Sequence, residues 1–245
     1  MGYFHSALYA TGIFFMDNVF FYEVGEEAMR TEMHSDDIKL KGVYLPESVM
    51  YIRAHAFNGV QGLEHLSEKY VKENIVGHLS DNIIEIGTRA FYDTKKIHVS
   101  NLPPKLTVVK DNSFYGAGEN VTLSTLPDSV KTIEMAAFMR CPNIQITNFG
   151  KKSNEVGASS GLSYIGGYAF ANAGVTGAHS SVKSIFIWDS VTNIEAGAFA
   201  SYGSNVTAYT PFTEDNIPTG WTDVSIKGAS AIGVSDISWG YTGEV

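Results

Sequence analysis

Large apolar residues return along this chain in a hexad of fixed internal order. Seven segments carry it: Val24 to Met29, Ile52 to Phe57, Ile86 to Phe91, Val109 to Phe114, Ile133 to Phe138, Ile165 to Phe170 and Ile194 to Phe199. Each reads a β-branched apolar residue, three variable residues, Ala or Ser, then Phe or Met. The final residues fall at positions 29, 57, 91, 114, 138, 170 and 199, and the shortest spacings, 23 and 24 residues, define the unit. A period in this range is the mark of stacked coils. The longer spacings predict insertions, placed at 67–77, 151–161 and 173–181, where Gly, Ser, Asn and charged residues collect.

A second element precedes most hexads. It reads Leu45-Pro46-Glu47-Ser48-Val49 and returns at 79–83, 102–106, 126–130 and, as Trp188-Asp189-Ser190-Val191, before the last hexad. Proline fixes φ, and Asp, Asn or Ser bonds back to the backbone, so this element predicts a turn that re-aims the chain. Short alternating runs lie just before most of these turns: Val43-Tyr44-Leu45, Ile97-His98-Val99, Val121-Thr122-Leu123, Ile144-Gln145-Ile146 and Ile185-Phe186-Ile187. Alternation predicts a strand with one face buried and one presented. A single coil of this length cannot bury its own apolar face, so neighbouring coils must cover it. The Phe and Ile positions then form continuous ladders, and the small residue before each Phe lets coils approach.

The segment from Leu126 to Ile144, Leu-Pro-Asp-Ser-Val-Lys-Thr-Ile-Glu-Met-Ala-Ala-Phe-Met-Arg-Cys-Pro-Asn-Ile, joins both elements. It closely resembles the unit of the BspA-like, or Treponema pallidum-type, leucine-rich-repeat family, Leu-Pro-x-Ser-Val-x-x-Ile-Gly-x-x-Ala-Phe-x-x-Cys-x-x-Leu. Cys141 stands at the family's Cys position, where a small buried residue is expected. The resemblance covers roughly residues 17 to 209. It implies a leucine-rich-repeat solenoid of about seven coils with capped ends. Short parallel β-strands would line one face, and irregular or short helical turns the other. The expected division is an N-terminal aromatic cap over 1–22, the solenoid over 23–209 and a C-terminal cap or tail over 210–245. In that tail, Ile217 to Trp221 and Ser238-Trp239-Gly240-Tyr241 resemble the segment that often follows the last repeat in bacterial members. The departures are Val24 and Met29 in the first hexad and Ser113 in place of Ala.

Charge and chemistry narrow the function. The 245 residues carry 17 Lys and Arg against 26 Asp and Glu, a formal net charge of −9. Phosphate backbones and anionic lipid need clustered cations, so nucleic acid is not the expected partner. The apolar run Ile13 to Met16 is broken by Asp17 and Asn18, too short to insert in a bilayer. The first basic residue is Arg30, which predicts no signal peptide in this chain. One cysteine excludes an intramolecular disulfide and a Cys-rich metal site. The histidines form no His-x3-His or His-Glu-x2-His pair, so no metal site is expected. No nucleophile elbow, P-loop or dinucleotide fingerprint occurs, and Gly157 to Gly161 reads as a loop. Asp81-Asn82 and Asp215-Asn216 read as turns, not calcium loops. Neither a cofactor nor a catalytic residue is expected.

The candidate ligand-binding residues are the outward positions of the alternating runs: Tyr44, His98, Thr122, Gln145 and Phe186, with Thr207 beside them. In a parallel stack they form a row, and its aromatics would anchor a partner. The bland reading is that a loop or cap covers them, or that they pack sideways on one another. The expected function is a non-enzymatic module that binds protein or glycan, of adhesion or recognition type, extracellular or on the cell surface. The alternative is a structural component of a larger particle, such as a phage tail or capsid protein of a virion. That reading makes Tyr3-Phe4 and Phe20-Phe21-Tyr22 the contact with a neighbouring subunit or an oligomer partner.

Overall fold

The structure, a computed structural model, describes residues 12–15, 23–24, 40–66, 77–152, 161–174, 182–203, 205–221 and 229–243. The first β-branched residue of each hexad ends a two-residue strand. These strands are β2 (Glu23–Val24), β4 (Tyr51–Ile52), β5 (Glu85–Ile86), β6 (Val108–Val109), β7 (Thr132–Ile133), β9 (Tyr164–Ile165) and β11 (Asn193–Ile194). They pair in parallel, with Ile52 opposite Ile86 and Val109, Ile133, Ile165 and Ile194 in one line. The ladder divides between β5 and β6 into sheets β2-β4-β5 and β6-β7-β9-β11. β13 (Gly220–Trp221) extends the second sheet, putting Trp221 opposite Ile194.

A second parallel ladder holds the alternating runs. β1 (Gly12–Phe15) pairs with β3 (Leu40–Tyr44) at the N-terminal side. At the C-terminal side, β8 (Asn148–Phe149), β10 (Ser184–Ile187), β12 (Thr207–Tyr209) and β14 (Asp236–Ser238) form one sheet. The runs at 97–99, 121–123 and 144–146 continue it without regular strands. Val99 bridges Val121, Thr122 N–H donates to Val99 C=O at 2.8 Å, and Gln145 N–H to Leu123 C=O at 2.8 Å. The solenoid therefore carries strands in two ladders, one more than the alternation announced.

Between the ladders, each of the last six hexads turns on two left-handed residues four apart: His55 and Gly59, Arg89 and Asp93, Asn112 and Gly116, Ala136 and Arg140, Tyr168 and Asn172, Gly197 and Ser201, with φ between 53° and 75°. Most of these are not glycine, although L-residues pay about 1–2 kcal/mol for this conformation. They hold it because the turn aims alternate N–H groups at the next coil. Phe57 donates to Ala90 C=O at 2.8 Å, Phe91 to Ser113 at 2.8 Å and Phe138 to Ala169 at 2.8 Å. The same spacing stacks the rings. Phe57, Phe91, Phe114, Phe138, Phe170 and Phe199 follow one another at centroid separations of 5.3–5.6 Å. All are fully buried.

Three residues beyond each Phe lies the position of Cys141. Its thiol donates to Phe114 C=O at 2.9 Å, and Thr94 donates to Phe57 C=O at 2.9 Å from the same position in its own coil. Burial pushes the Cys141 thiol up to about 12, so it stays protonated. The small buried residue expected there is also a hydrogen-bond donor that ties one coil to the previous one.

The C-terminal segment adds a rung to each ladder. Trp221 Nε1 donates to Val191 C=O at 2.9 Å, and Phe199 N–H to Ile232 C=O at 2.7 Å from the one-turn helix α1 (Ala229–Ile232). Gly233, at φ 89°, approaches so closely that a Cβ would lie 2.4 Å from Ala200 N. Of the N-terminal aromatic stretch only Gly12–Phe15 is described, so Tyr3, Phe4 and Phe20 to Tyr22 lie outside the described residues. So do 67–76, 153–160 and 175–181, which hold most of the expected insertions.

Candidate functional site

The C-terminal sheet of the second ladder presents a grid of side chains. Along β10, Ile185 and Ile187 are buried, and Ser184 and Phe186 are partly exposed. Parallel pairing sets Ser184 beside Thr207 of β12, and Thr207 beside Asp236 of β14. The next line runs Asn148, Phe186, Tyr209, Ser238. A hydroxyl and carboxylate lane thus lies next to a lane centred on aromatics. Residues two apart along a strand are about 7 Å apart, and adjacent strands about 4.8 Å.

Beyond the second lane the chain adds Trp188 and Tyr241, both partly exposed. Trp188 N–H donates to Phe149 C=O at 2.9 Å, and Tyr241 N–H to Thr210 C=O at 2.9 Å. The four rings meet: Phe186 lies 5.4 Å from Tyr209, 6.0 Å from Trp188 and 5.4 Å from Tyr241, and Tyr209 lies 5.2 Å from Tyr241. The ammonium of Lys152 stands 4.6 Å from the centre of the Trp188 ring, a favourable cation–π placement. At the other end of β10, a shallow groove of ≈ 370 Å³ is lined by Gln145, Thr147, Val182, Lys183, Ser184 and Phe186.

Of the outward residues singled out in the sequence, Gln145 and Phe186 thus line one groove, and Thr207 sits one strand away. His98 is elsewhere, stacked on His65 at 5.2 Å. Burial lowers its pKa, His65 lowers it further, and Glu64 opposes both. Thr122 is exposed on the same face between these two groups. Tyr44 ends β3 opposite Phe15, and its side chain lies outside the described residues. Trp188, Tyr209 and Tyr241 were missed as site residues. Trp188 and Tyr209 each extend an alternating run, Ile185-Phe186-Ile187-Trp188 and Val206-Thr207-Ala208-Tyr209, and that alternation was the available signal.

Among the described residues, the exposed large apolar side chains are Met135 and Tyr168, outside this cluster. A smaller groove of ≈ 210 Å³ sits where the first ladder divides, between Glu85 and Val108. Arg53 pairs with Glu85 at 3.1 Å beside it. Tyr164 donates a hydrogen bond to Glu195, and burial followed by that contact pushes its hydroxyl up to about 12. Among the described residues no three His, Cys, Asp or Glu side chains gather where a metal ion could be held. No helix among them is long and apolar enough to cross a membrane.

Parallel ladders, stacked Phe rings and a repeated hexad turn define a leucine-rich-repeat solenoid. The BspA-type leucine-rich-repeat model matches residues 73–207 in 6 copies, more than half of the chain, and the protein belongs to this family. Among solved structures, it is similar to a leucine-rich repeat protein from Bacteroides ovatus, at 16% identity and a TM-score of 0.49, over 89% of this chain and 58% of that one. A leucine-rich cell surface protein from Faecalibacterium prausnitzii matches at 19% identity and a TM-score of 0.48, over 88% of this chain and 57% of that one. The pneumococcal vaccine antigen PcpA matches at 15% identity and a TM-score of 0.40, over 88% and 64%. The chain therefore spans less than two thirds of the length of each of these proteins. No curated protein matches it.

Proposed function

We propose that this chain is a recognition module of the adhesion type, acting at a cell surface. It engages its partner, a protein or a glycan, through the C-terminal end of the strand face, from the groove at Gln145 to the rings of Phe186, Trp188, Tyr209 and Tyr241. The observation that carries the reading is the cluster of four partly exposed rings on one sheet. Aromatics on a preorganised surface give large contact area at little entropic cost and supply most interface hot spots. The site presents rings beside hydroxyls and amides, with Lys183 in the groove and Asp236 next to Thr207, a mixture suited to contact with a partner.

The test compares the whole chain with a Phe186→Ser, Tyr209→Ser variant on arrays of extracellular-matrix proteins and glycans. The expected result is binding to a defined set of ligands that the double variant loses while its thermal unfolding remains cooperative. Ligands retained equally by both proteins would move the binding surface elsewhere, and the reading would fail.

A further inference from the structure

We infer that the solenoid carries a hinge between the coils of Ile86 and Val109, where the first ladder opens and closes while the rest of the junction stays bonded. At the neighbouring junctions two backbone bonds close this ladder, one entering the strand and one leaving it. Ile84 N–H donates to Met50 C=O at 2.8 Å, and Gly87 N–H to Ile52 C=O at 2.7 Å. Lys131 donates to Thr107 and Glu134 to Val109, both at 2.8 Å. Ser163 donates to Lys131 at 2.9 Å and Gly166 to Ile133 at 2.7 Å. Thr192 donates to Ser163 at 3.0 Å and Glu195 to Ile165 at 2.9 Å. The same positions between Ile86 and Val109 are Thr107 against Ile84 and Lys110 against Ile86. Among the described residues neither of these two bonds is made. β5 and β6 accordingly end two separate sheets. The groove of ≈ 210 Å³ between them has Ile84 and Glu85 on one lip and Thr107, Val108 and Lys110 on the other.

The charged side chains on the lips bond away from the gap. Glu85 pairs with Arg53 at 3.1 Å in its own sheet, and Lys110 with Glu134 at 3.5 Å in the other. The remaining sides of the same two coils are tied. Arg89 N–H donates to Asp111 C=O at 3.0 Å, Phe91 to Ser113 at 2.8 Å and Asp93 to Tyr115 at 2.7 Å. The rings of Phe91 and Phe114 stack at 5.3 Å, and those of Tyr92 and Tyr115 at 4.7 Å. On the second ladder, Val99 N–H donates to Asn120 C=O at 3.0 Å and Thr122 N–H to Val99 C=O at 2.8 Å. Across the exposed turns Lys105 reaches Asn82 at 3.3 Å, a contact on a flexible four-carbon stem that can follow a motion. Two packed elements bonded along one side and open along another form a hinge.

Closing the ladder forms two bonds of a kind that the neighbouring junctions already make. A backbone hydrogen bond is only a small net gain over one made to water, so the open and closed forms lie close in free energy. The hinge separates the sheet of Ile52 and Ile86 from the sheet of Val109 to Ile194. A partner that touches both parts selects one curvature of the solenoid. His98 and Thr122 flank the same junction on the bonded second ladder, so the outward row stays continuous as the first ladder moves.

The test uses the whole chain. Amide exchange is followed residue by residue by NMR and corrected for intrinsic rates. Thr107 and Lys110 are expected to exchange at least about tenfold faster than Lys131, Glu134, Gly166 and Glu195. A cross-link then reads the motion itself. Glu85→Cys with Val108→Cys places two thiols on opposite lips of the groove. Val108→Cys with Thr132→Cys is the control, at a bonded junction. Cys141 is buried and stays out of the reaction, and cooperative thermal unfolding reports that each variant is folded. With oxidised glutathione the first pair is expected to cross-link fully, but at least about tenfold more slowly than the control. In the cross-linked chain the Lys110 amide should be as protected as that of Glu134. Equal exchange at Lys110 and Glu134 in the native chain, or equal rates for the two pairs, would mean a ladder already closed. A first pair that never cross-links, or a cross-linked chain whose Lys110 amide still exchanges fast, would mean a fixed gap. Any of these results overturns the hinge.

Discussion

Ser113 stands where the other hexads carry Ala, and the substitution Ser113→Ala should stabilise the protein. The residue is fully buried, and its Oγ has no hydrogen-bond partner among the described residues. A buried hydroxyl without a partner costs about 1–3 kcal/mol by protein mutational measures. Removing the oxygen leaves a void on the order of 10–15 Å³, which at about 24 cal/mol per Å³ returns roughly 0.3 kcal/mol. The net gain is therefore about 1 kcal/mol, a rise in Tm of roughly 2–4 °C for a chain of this size. Ala56, Ala90, Ala137, Ala169 and Ala198 occupy the same place in their coils, all fully buried, so the backbone already accepts Ala. Urea and thermal denaturation followed by circular dichroism measure the change. The reciprocal substitution, Ala137→Ser, should lower Tm by a similar amount. An unchanged or lowered Tm for Ser113→Ala would refute the reasoning, because it would show that Oγ has a partner, such as an ordered water, worth as much as its desolvation.

The remaining predictions concern the same coils. Ala136→Gly removes a Cβ from a left-handed position at φ 53°; after the entropy glycine adds to the unfolded chain, it should stabilise by roughly 0.5–1 kcal/mol in the same denaturation assay. Phe138→Ala cuts the ring stack between Phe114 and Phe170 and should cost about 3–5 kcal/mol, read as a lowered urea midpoint. Cys141, buried and held protonated, should react with a thiol reagent at pH 8 only at the rate of unfolding; fast labelling of the native chain would contradict its placement. The folded-state pKa of His98 lies below its unfolded value, so the unfolded chain takes up the proton first. Stability should be full above about pH 6.5 and decline as pH falls through the folded pKa, and His98→Gln should flatten that slope in thermal melts across pH.

Much of the solenoid was legible because its period is carried by side chains that must be buried. Ile133, Ala137 and Phe138 recur in register with the same residues in other coils, and stacking leaves them no alternative. The first ladder was less visible, since strands of two residues such as Thr132–Ile133 are too short to show alternation. The left-handed turns were hidden for another reason. At His55, Arg89 and Ala136 the conformation is imposed by hydrogen bonds to the next coil, where a local reading looks for Gly or Asn. Phe186 and Gln145 could be chosen from alternation. Their joining with Tyr209 and Tyr241 depends on the parallel register of segments far apart in sequence, and on a C-terminal rung whose hexad has lost its Ala and Phe.

From Phe57 to Phe199, each described junction between hexads uses the same bond, from the Phe N–H of one hexad to the residue before Phe in the next. A whole coil gained or lost would leave each remaining junction unchanged. What would change is distance: about 4.8 Å for each coil added or removed. The stack is in this sense a spacer with discrete settings. It holds the rings at its C-terminal end at a reach from the N-terminal rung fixed by the number of hexads in the gene.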